Sequence, residues 1–77
     1  MDIHLADVTL HVDQSLNQNE MGKLETAIRQ KEGVVSVHIN PQKNHLVLVQ
    51  YNPEVVHSKE FMDILQYQGL KGELIGL

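Results

Sequence analysis

Histidine side chains are the residues of this chain best suited to chemistry. Five of them occur among 77 residues, at positions 4, 11, 38, 45 and 57, and cysteine is absent. Imidazole nitrogens bind borderline metals such as zinc and carry protons near neutral pH. Because there is no thiolate, the chain lacks the ligand type that selects Cu(I), and it can form neither a disulfide nor a cysteine nucleophile. Apart from the thioether sulfurs of three methionines, the available metal ligands are therefore nitrogen and oxygen donors.

A polar segment after the first apolar stretch offers a second set of donors. It contains Asp13, Ser15, Asn17, Asn19 and Glu20. Amide and carboxylate oxygens suit Ca²⁺ or Mg²⁺ rather than soft metals, and two acids without a cage of oxygens bind even those ions poorly. Asn and Asp are also the usual capping residues of helices. We interpret the segment as the capped and solvated start of a helix.

The residue patterns of catalysis are missing. The sequence has no glycine-rich phosphate loop, and the predicted topology assembles no Ser-His-Asp set, although Ser15 lies within reach of His11. We therefore predict that the protein is not an enzyme.

Hydrophobic periodicity predicts the elements that position these groups. Val8, Leu10 and Val12 alternate with polar residues, as in a strand with one buried face. Residues 34–39 and 45–51 are rich in β-branched side chains and flank a turn at 40–44, which predicts a hairpin. Residues 70–77 are expected to form a short edge strand, because glycines at 72 and 76 weaken it.

Two amphipathic helices are predicted between these strands. The first is expected to begin near residues 17–20 and to stop at Gly33, and the second to be capped by Ser58 and to close at Gly69. Their predicted buried residues are Met21, Leu24, Ala27 and Ile28 in the first helix, and Phe61, Ile64 and Leu65 in the second.

Three stretches of the sequence resemble the heavy-metal-associated domain of copper chaperones and metal-pumping ATPases. They are Leu24-Glu25-x-Ala27-Ile28, Val34-x-x-Val37-x-Ile39-Asn40 and Val47-x-Val49-x-Tyr51-Asn52-Pro53. The resemblance covers about residues 8–77. It implies a single domain over 1–77 with an α+β, ferredoxin-like βαββαβ fold, in which two helices cover one face of a four-stranded antiparallel sheet. Counting back from Gly33 places the family's two metal-binding cysteines at Asn17 and Glu20, so the resemblance implies a member without the Cys-x-x-Cys site.

The expected strand arrangement separates the histidines. If the first and third strands run parallel, His11 lies near the Tyr51 end while His38 and His45 lie at the hairpin end, and these three cannot share one ion. His4 and His45 could approach each other there, but two ligands form a weak site. Metal binding or trafficking through His, Asp or Glu ligands, completed by a second subunit, is the alternative function. We expect no resident cofactor and no tight binding of Cu(I).

The sheet face opposite the helices is the other candidate site. Residue parity places Leu46, Leu48 and Gln50 on this face, with His38 and His11 beside them. Apolar anchors with a polar rim are typical of a modest interface, although exposed leucines also occur on ordinary sheets. We therefore predict a non-enzymatic interaction module that binds another protein, or itself, through this face.

Composition limits the partners further. Hydrophobic residues at 42% and charged residues at 21% are typical of a folded globular chain. A net charge of −4 provides no cationic field for phosphates, so a nucleic-acid partner is not expected. No segment approaches the roughly 18 apolar residues of a membrane span, and the first residues lack a secretory pattern. These features predict a cytoplasmic protein.

Overall fold

Four strands and two helices make up residues 4–75, the part of the chain that this computed structural model describes. The elements in order are β1 (Ala6–Val12), α1 (Gln18–Arg29), β2 (Val34–Ile39), a 3₁₀ turn (Pro41–Lys43), β3 (Leu46–Tyr51), α2 (Lys59–Tyr67) and β4 (Gly72–Ile75). The strands form one antiparallel sheet in the order β2-β3-β1-β4. The predicted ferredoxin-like βαββαβ fold is confirmed.

The core lies between the sheet and the helices, because each element has one apolar face. Its fully buried side chains are Leu10, Val12, Val47 and Val49 from the strands, Leu24, Ile28, Phe61 and Leu65 from the helices, and Val56 from the connection before α2. Tyr51 and Phe61 pack edge to face, with ring centroids 5.1 Å apart. Met21 and Ile64 are partly buried against this cluster. The helix faces predicted from periodicity are therefore the faces that pack on the sheet.

The helix boundaries differ in part from the sequence prediction. Helix α1 ends at Arg29 and is capped by Gln30, so it stops before Gly33, which instead occupies the turn into β2 with a φ of 95°. Ser58 precedes α2, but its backbone is already helical and its side chain makes no capping bond. The Glu60 carboxylate accepts the His57 backbone N–H at 2.8 Å instead. The prediction of a serine cap was therefore wrong, because the carboxylate of Glu60, two residues later, accepts a backbone N–H at the start of the helix instead.

The edge strands are less regular than the central pair. A bulge between Val34 and Ser36 interrupts the pairing of β2 with β3, and the extra residue, Val35, is 56% exposed. Strand β4 pairs with β1 over Gly72–Ile75. The predicted edge position is confirmed, while the remainder of the predicted strand, at residues 76–77, lies outside the described residues.

The two central strands, β1 and β3, run antiparallel. Ala6 lies opposite Tyr51, and His11 lies opposite Leu46. This register corrects the parallel arrangement considered above, and it reverses which residues meet at each end of the pair. The hairpin end of β3 is where β1 finishes and where the loop into α1 begins.

Candidate functional site

The loop between β1 and α1 ends in a reciprocal helix cap. The Asn17 side chain accepts the backbone N–H of Glu20 at 2.8 Å, and the Glu20 carboxylate accepts the backbone N–H of Asn17 at 3.0 Å. This capping box satisfies two of the free amides at the start of α1, and the acid also favours the positive end of the helix. The two positions that the sequence resemblance aligns with metal-binding cysteines therefore have a structural role here.

Side chains of the two residues just before β3 hold the middle of this loop. The ring of His45 donates from Nδ1 to the carbonyl oxygen of Val12 at 2.9 Å, and its Nε2 lies 3.3 Å from Ser15 Oγ. The amide of Asn44 donates to the carbonyl of Leu16 at 2.7 Å, and the Leu16 side chain is only 2% exposed. Because a carbonyl can only accept, the bond to Val12 requires a proton on Nδ1, and the tautomer with that proton leaves Nε2 able to accept from the serine hydroxyl.

The residue before β4 holds the first part of the loop. The backbone N–H of Asp13 donates to the carbonyl of Lys71 at 2.7 Å, and the Lys71 N–H donates to the Gln14 side-chain oxygen at 3.0 Å. Every residue from 13 to 17 thus has a bond or a buried side chain that fixes it. The loop is therefore tied to both β3 and β4 along its length.

The antiparallel register brings two histidines together beside this loop. His11 and His45 lie with their ring centroids 6.0 Å apart and their planes at 15°. Nδ1 of His11 is buried without a hydrogen-bond partner among the described residues, and it lies 3.8 Å from a carboxylate oxygen of Asp13. The expectation that His11 and His45 lie at opposite ends of the sheet was wrong, because it assumed parallel strands.

The predicted approach of His4 to His45 is also wrong. His4 precedes β1 at the end where Ala6 faces Tyr51, whereas His45 lies next to Leu46 at the other end of the pair. His38 lies on the open sheet face opposite Leu48. Within the described ranges, no group of three or more His, Asp or Glu side chains is placed to hold one metal ion.

The donors at this loop do not fit the soft metal that the fold family implies. Cu(I) is held by thiolate or thioether sulfur, and the corresponding positions here carry an amide and a carboxylate engaged in capping. The same loop also lacks a complete set of catalytic residues around Ser15. The His45 nitrogen opposite Ser15 is oriented by a backbone carbonyl rather than an acid, so the serine-histidine pair lacks the third member of a triad.

The open face of the sheet carries a continuous row of side chains. Because directly paired residues project to the same side, the register aligns one residue from each strand: His38, Leu48, Thr9 and Ile75. Leu48 is 49% exposed on a central strand, and Ile75 is 37% exposed. A second row beside it on the same face contains Leu46, His11 and Glu73. A third row, on the other side of the first, contains Ser36, Gln50 and Asp7. The predicted outward positions of Leu46, Leu48, Gln50, His38 and His11 agree with this register.

A shallow depression of about 430 Å³ lies within this face. Its lining includes Asp7, Thr9, Ser36, His38, Leu48 and Gln50. Leu48 contributes aliphatic surface to this lining and the other named side chains are polar, a mixture that is common in small binding sites.

The helical side has a wider, flatter groove between α1 and α2. Tyr67 stands at its edge and is 93% exposed, a feature that the sequence reasoning missed. The helical period alone could have indicated it, because Tyr67 lies two residues beyond the buried Leu65 and therefore about 200° around the helix from it, on the opposite face. The groove is lined mainly by polar side chains of α1 and its C-terminal cap, among them Gln18, Asn19, Lys23 and Gln30.

Comparison with solved structures finds close matches in backbone shape. The N-terminal domain of a potential copper-translocating P-type ATPase from Bacillus subtilis, in its Cu(I)-loaded state, matches with a TM-score of 0.85 and 19% identity, over 95% of this chain and 90% of that one. Oxidized MerP from Ralstonia metallidurans CH34 matches at 0.84 and 16% identity, over 95% and 100% of the two chains. CopZ metallochaperone matches at 0.80 and 24% identity, over 88% and 100%.

The chain has the heavy-metal-associated fold. No family model matches the sequence, and the search of curated proteins found no relative. In the described part of the chain, neither helix is long and apolar enough to cross a membrane. The structural matches thus support the backbone arrangement that the three sequence stretches implied, and at these identities they carry the fold alone.

Proposed function

We propose that this chain is a non-enzymatic protein-interaction module, and that its open sheet face is the docking surface. The observation that carries the proposal is the exposed row across all four strands, with Leu48 at its centre and 49% exposed. Burial of an aliphatic side chain within a polar rim is a common source of affinity in small interfaces. The loop, by contrast, uses its polar groups in its own structure.

The solved structures of similar fold are compatible with a docking role for this chain. One is named a metallochaperone, and another is a domain of a potential copper-translocating ATPase. This chain shares their fold but has no cysteine. We infer that it retains a scaffold suited to protein contacts without the thiolate chemistry.

Substitution of the two outward leucines of β3 tests this proposal. Leu46→Lys combined with Leu48→Lys should abolish partner capture or self-association, because it places two charges where apolar side chains would be buried. Tyr67→Lys is the matched control, since Tyr67 is more exposed but lies on the helical side. Pull-down and sedimentation are the measurements. Normal association by the double variant, or loss of association in the Tyr67 variant, would show that the docking surface is not the open sheet face.

Metal binding through imidazole is the second candidate, and the His11–His45 pair favours it. The bond from His45 Nδ1 to the Val12 carbonyl is the kind of contact that orients metal-binding histidines, and it leaves Nε2 as the donor atom. The described residues supply fewer than three ligands, so a second subunit would have to complete the site. Titration with Zn²⁺ during sedimentation tests this, and a dimer that requires both Zn²⁺ and His45 would support it over the first proposal.

A further inference from the structure

The depression on the open sheet face combines the aliphatic side chain of Leu48 with one carboxylate, that of Asp7. Leu48 and Thr9 lie opposite each other on the central strands. Asp7 precedes Thr9 by two residues on β1, so it projects to the same face, and it lies opposite Gln50. All four residues line the depression. A lysine or arginine side chain has the complementary design, because its aliphatic stem packs on apolar groups while its charged head reaches a carboxylate.

The carboxylate of Asp7 has no internal partner in the described part of the chain. It forms no ion pair and accepts no hydrogen bond there, and the residue is exposed. Asp is among the least favourable residues in a strand, and β1 is one of the two central strands. The local structure of the sheet therefore gives no reason for an acid at this position.

The chain's own basic residues all lie outside the strands. They are Lys23 and Arg29 in α1, Lys31 after it, Lys43 in the 3₁₀ turn, Lys59 in α2 and Lys71 before β4. The strands instead carry the acids Asp7 and Glu73, both exposed on the open face. This face is therefore acidic and apolar at neutral pH, while the positive charge lies on the helical side and in the connections.

We propose that the depression accepts a lysine or arginine side chain of a partner protein, from a segment in which basic and aliphatic residues are interspersed. This inference rests on the proposed function and specifies its partner. A second copy presenting the same face is disfavoured, because the strands of both copies carry acids and no lysine or arginine, and faces of like charge oppose association.

A titration of isotope-labelled protein with short capped peptides tests the proposal. The probe is the hexapeptide Gly-Leu-Lys-Val-Lys-Gly, and its comparison peptide carries Glu in place of both Lys. The basic peptide should shift the amide resonances of residues 7, 9, 36, 38, 48 and 50, and the acidic one should not. Binding should weaken as NaCl is raised to 0.5 M, because added salt screens exposed charges.

Two variants assign the effect to the carboxylate. Asp7→Asn should weaken binding of the basic peptide about two- to fivefold, the range of an exposed ion pair, whereas Asp63→Asn on the helical side should leave it unchanged. Gln50→Lys should also weaken it, because the new ammonium faces Asp7 across the strand pair. This second variant keeps the test valid if Asp7→Asn fails to fold.

The outcomes separate the two proposals. Equal binding of both peptides to the open face would overturn the basic-partner inference and leave the docking surface in place. Amide shifts confined to α1 and α2 would overturn both. A concentration-dependent dimer lost in Asp7→Asn would replace the foreign partner with a second copy.

Discussion

Asn17 and Glu20, which the sequence resemblance aligns with metal-binding cysteines, form a helix cap. Each side chain accepts the backbone N–H of the other residue, at 2.8 and 3.0 Å. A thiolate at either position would be free to bind a metal, whereas these oxygens already serve the amides at the start of α1. The pair therefore contributes to stability and carries no ligand of its own.

Removal of this cap should weaken the fold without affecting binding. Asn17→Ala should lower the free energy of unfolding by about 1 kcal/mol, because one amide of the first turn loses its acceptor. Asn19→Ala is the control, since Asn19 is exposed and forms no side-chain bond among the described contacts. Urea denaturation of both variants checks this, and equal stability of the two would show that the cap contributes nothing.

The acid equilibrium of Glu60 is perturbed by its neighbours. The backbone N–H of His57 and the ammonium of Lys31 stabilise its carboxylate, and they lower its pKa below the ordinary value of 4.5. A depressed folded-state pKa means that the stabilisation is complete above the unfolded value and is lost as the pH falls through the folded one.

Glu60→Gln should therefore reduce stability at pH 7 and have a smaller effect under acid conditions. The difference in urea midpoint between wild type and variant should shrink as the pH falls below 4.5, because the wild-type carboxylate becomes protonated. Glu54→Gln is the control, as Glu54 is exposed and its carboxylate has no ion pair within residues 4–75. A difference that is constant with pH would contradict the charge-based explanation.

At the level of elements, two glycines differ in whether the backbone around them could accept a larger residue. Gly22 lies exposed within α1, and a Cβ there would meet no atom within 4 Å. Gly33 has a φ of 95°, and a Cβ there would lie 2.9 Å from the Val55 side chain. The first glycine thus lowers helix propensity without a steric reason, whereas the second is required by its turn.

Alanine substitutions at these glycines should have opposite signs. Gly22→Ala should raise the free energy of unfolding by about 0.5–1 kcal/mol, because alanine favours the helix. Gly33→Ala should lower it by more than about 1 kcal/mol, because of backbone strain and the close contact. Thermal and urea denaturation decide this, and a stabilising Gly33→Ala would show that the turn relaxes freely.

The face of α1 that packs on the sheet is tested by its central leucine. Leu24 is fully buried, and Leu24→Ala should cost about 2–5 kcal/mol, a large part of the stability of so small a domain. Leu48→Ala makes the same chemical change at a site that is 49% exposed and should cost much less. Similar unfolding midpoints for the two variants would contradict the assigned core.

At the scale of the whole molecule, the absence of cysteine should separate this chain from copper carriers of the same fold. We expect no tight binding of Cu(I), because Met21 and Met62 pack against the core and the loop offers only oxygen donors. Competition with a Cu(I) chelator is the measurement, and stoichiometric retention of copper would contradict it. Asn17→Cys combined with Glu20→Cys is the positive control and should gain Cu(I) binding.

The sequence by itself determined the order of the elements, the buried faces and the absence of cysteine thiolates. These are local properties. Alternation in Val8, Leu10 and Val12 and the helical spacing around Leu24 depend on neighbours along the chain, and the missing cysteines are read directly. The outward parity of Leu46 and Leu48 followed from the same two-residue period once a hairpin was assigned.

Only the tertiary structure decided which distant residues meet. Whether β1 runs parallel or antiparallel to β3 depends on how the chain crosses between them, and this choice moved His11 next to His45 and away from the Tyr51 end. The bonds from Asn44 and His45 to the loop span about thirty residues of sequence, so no local pattern contained them. The depression beside Asp7 likewise exists only because strands far apart in the chain lie in register, and register is a property of the assembled sheet.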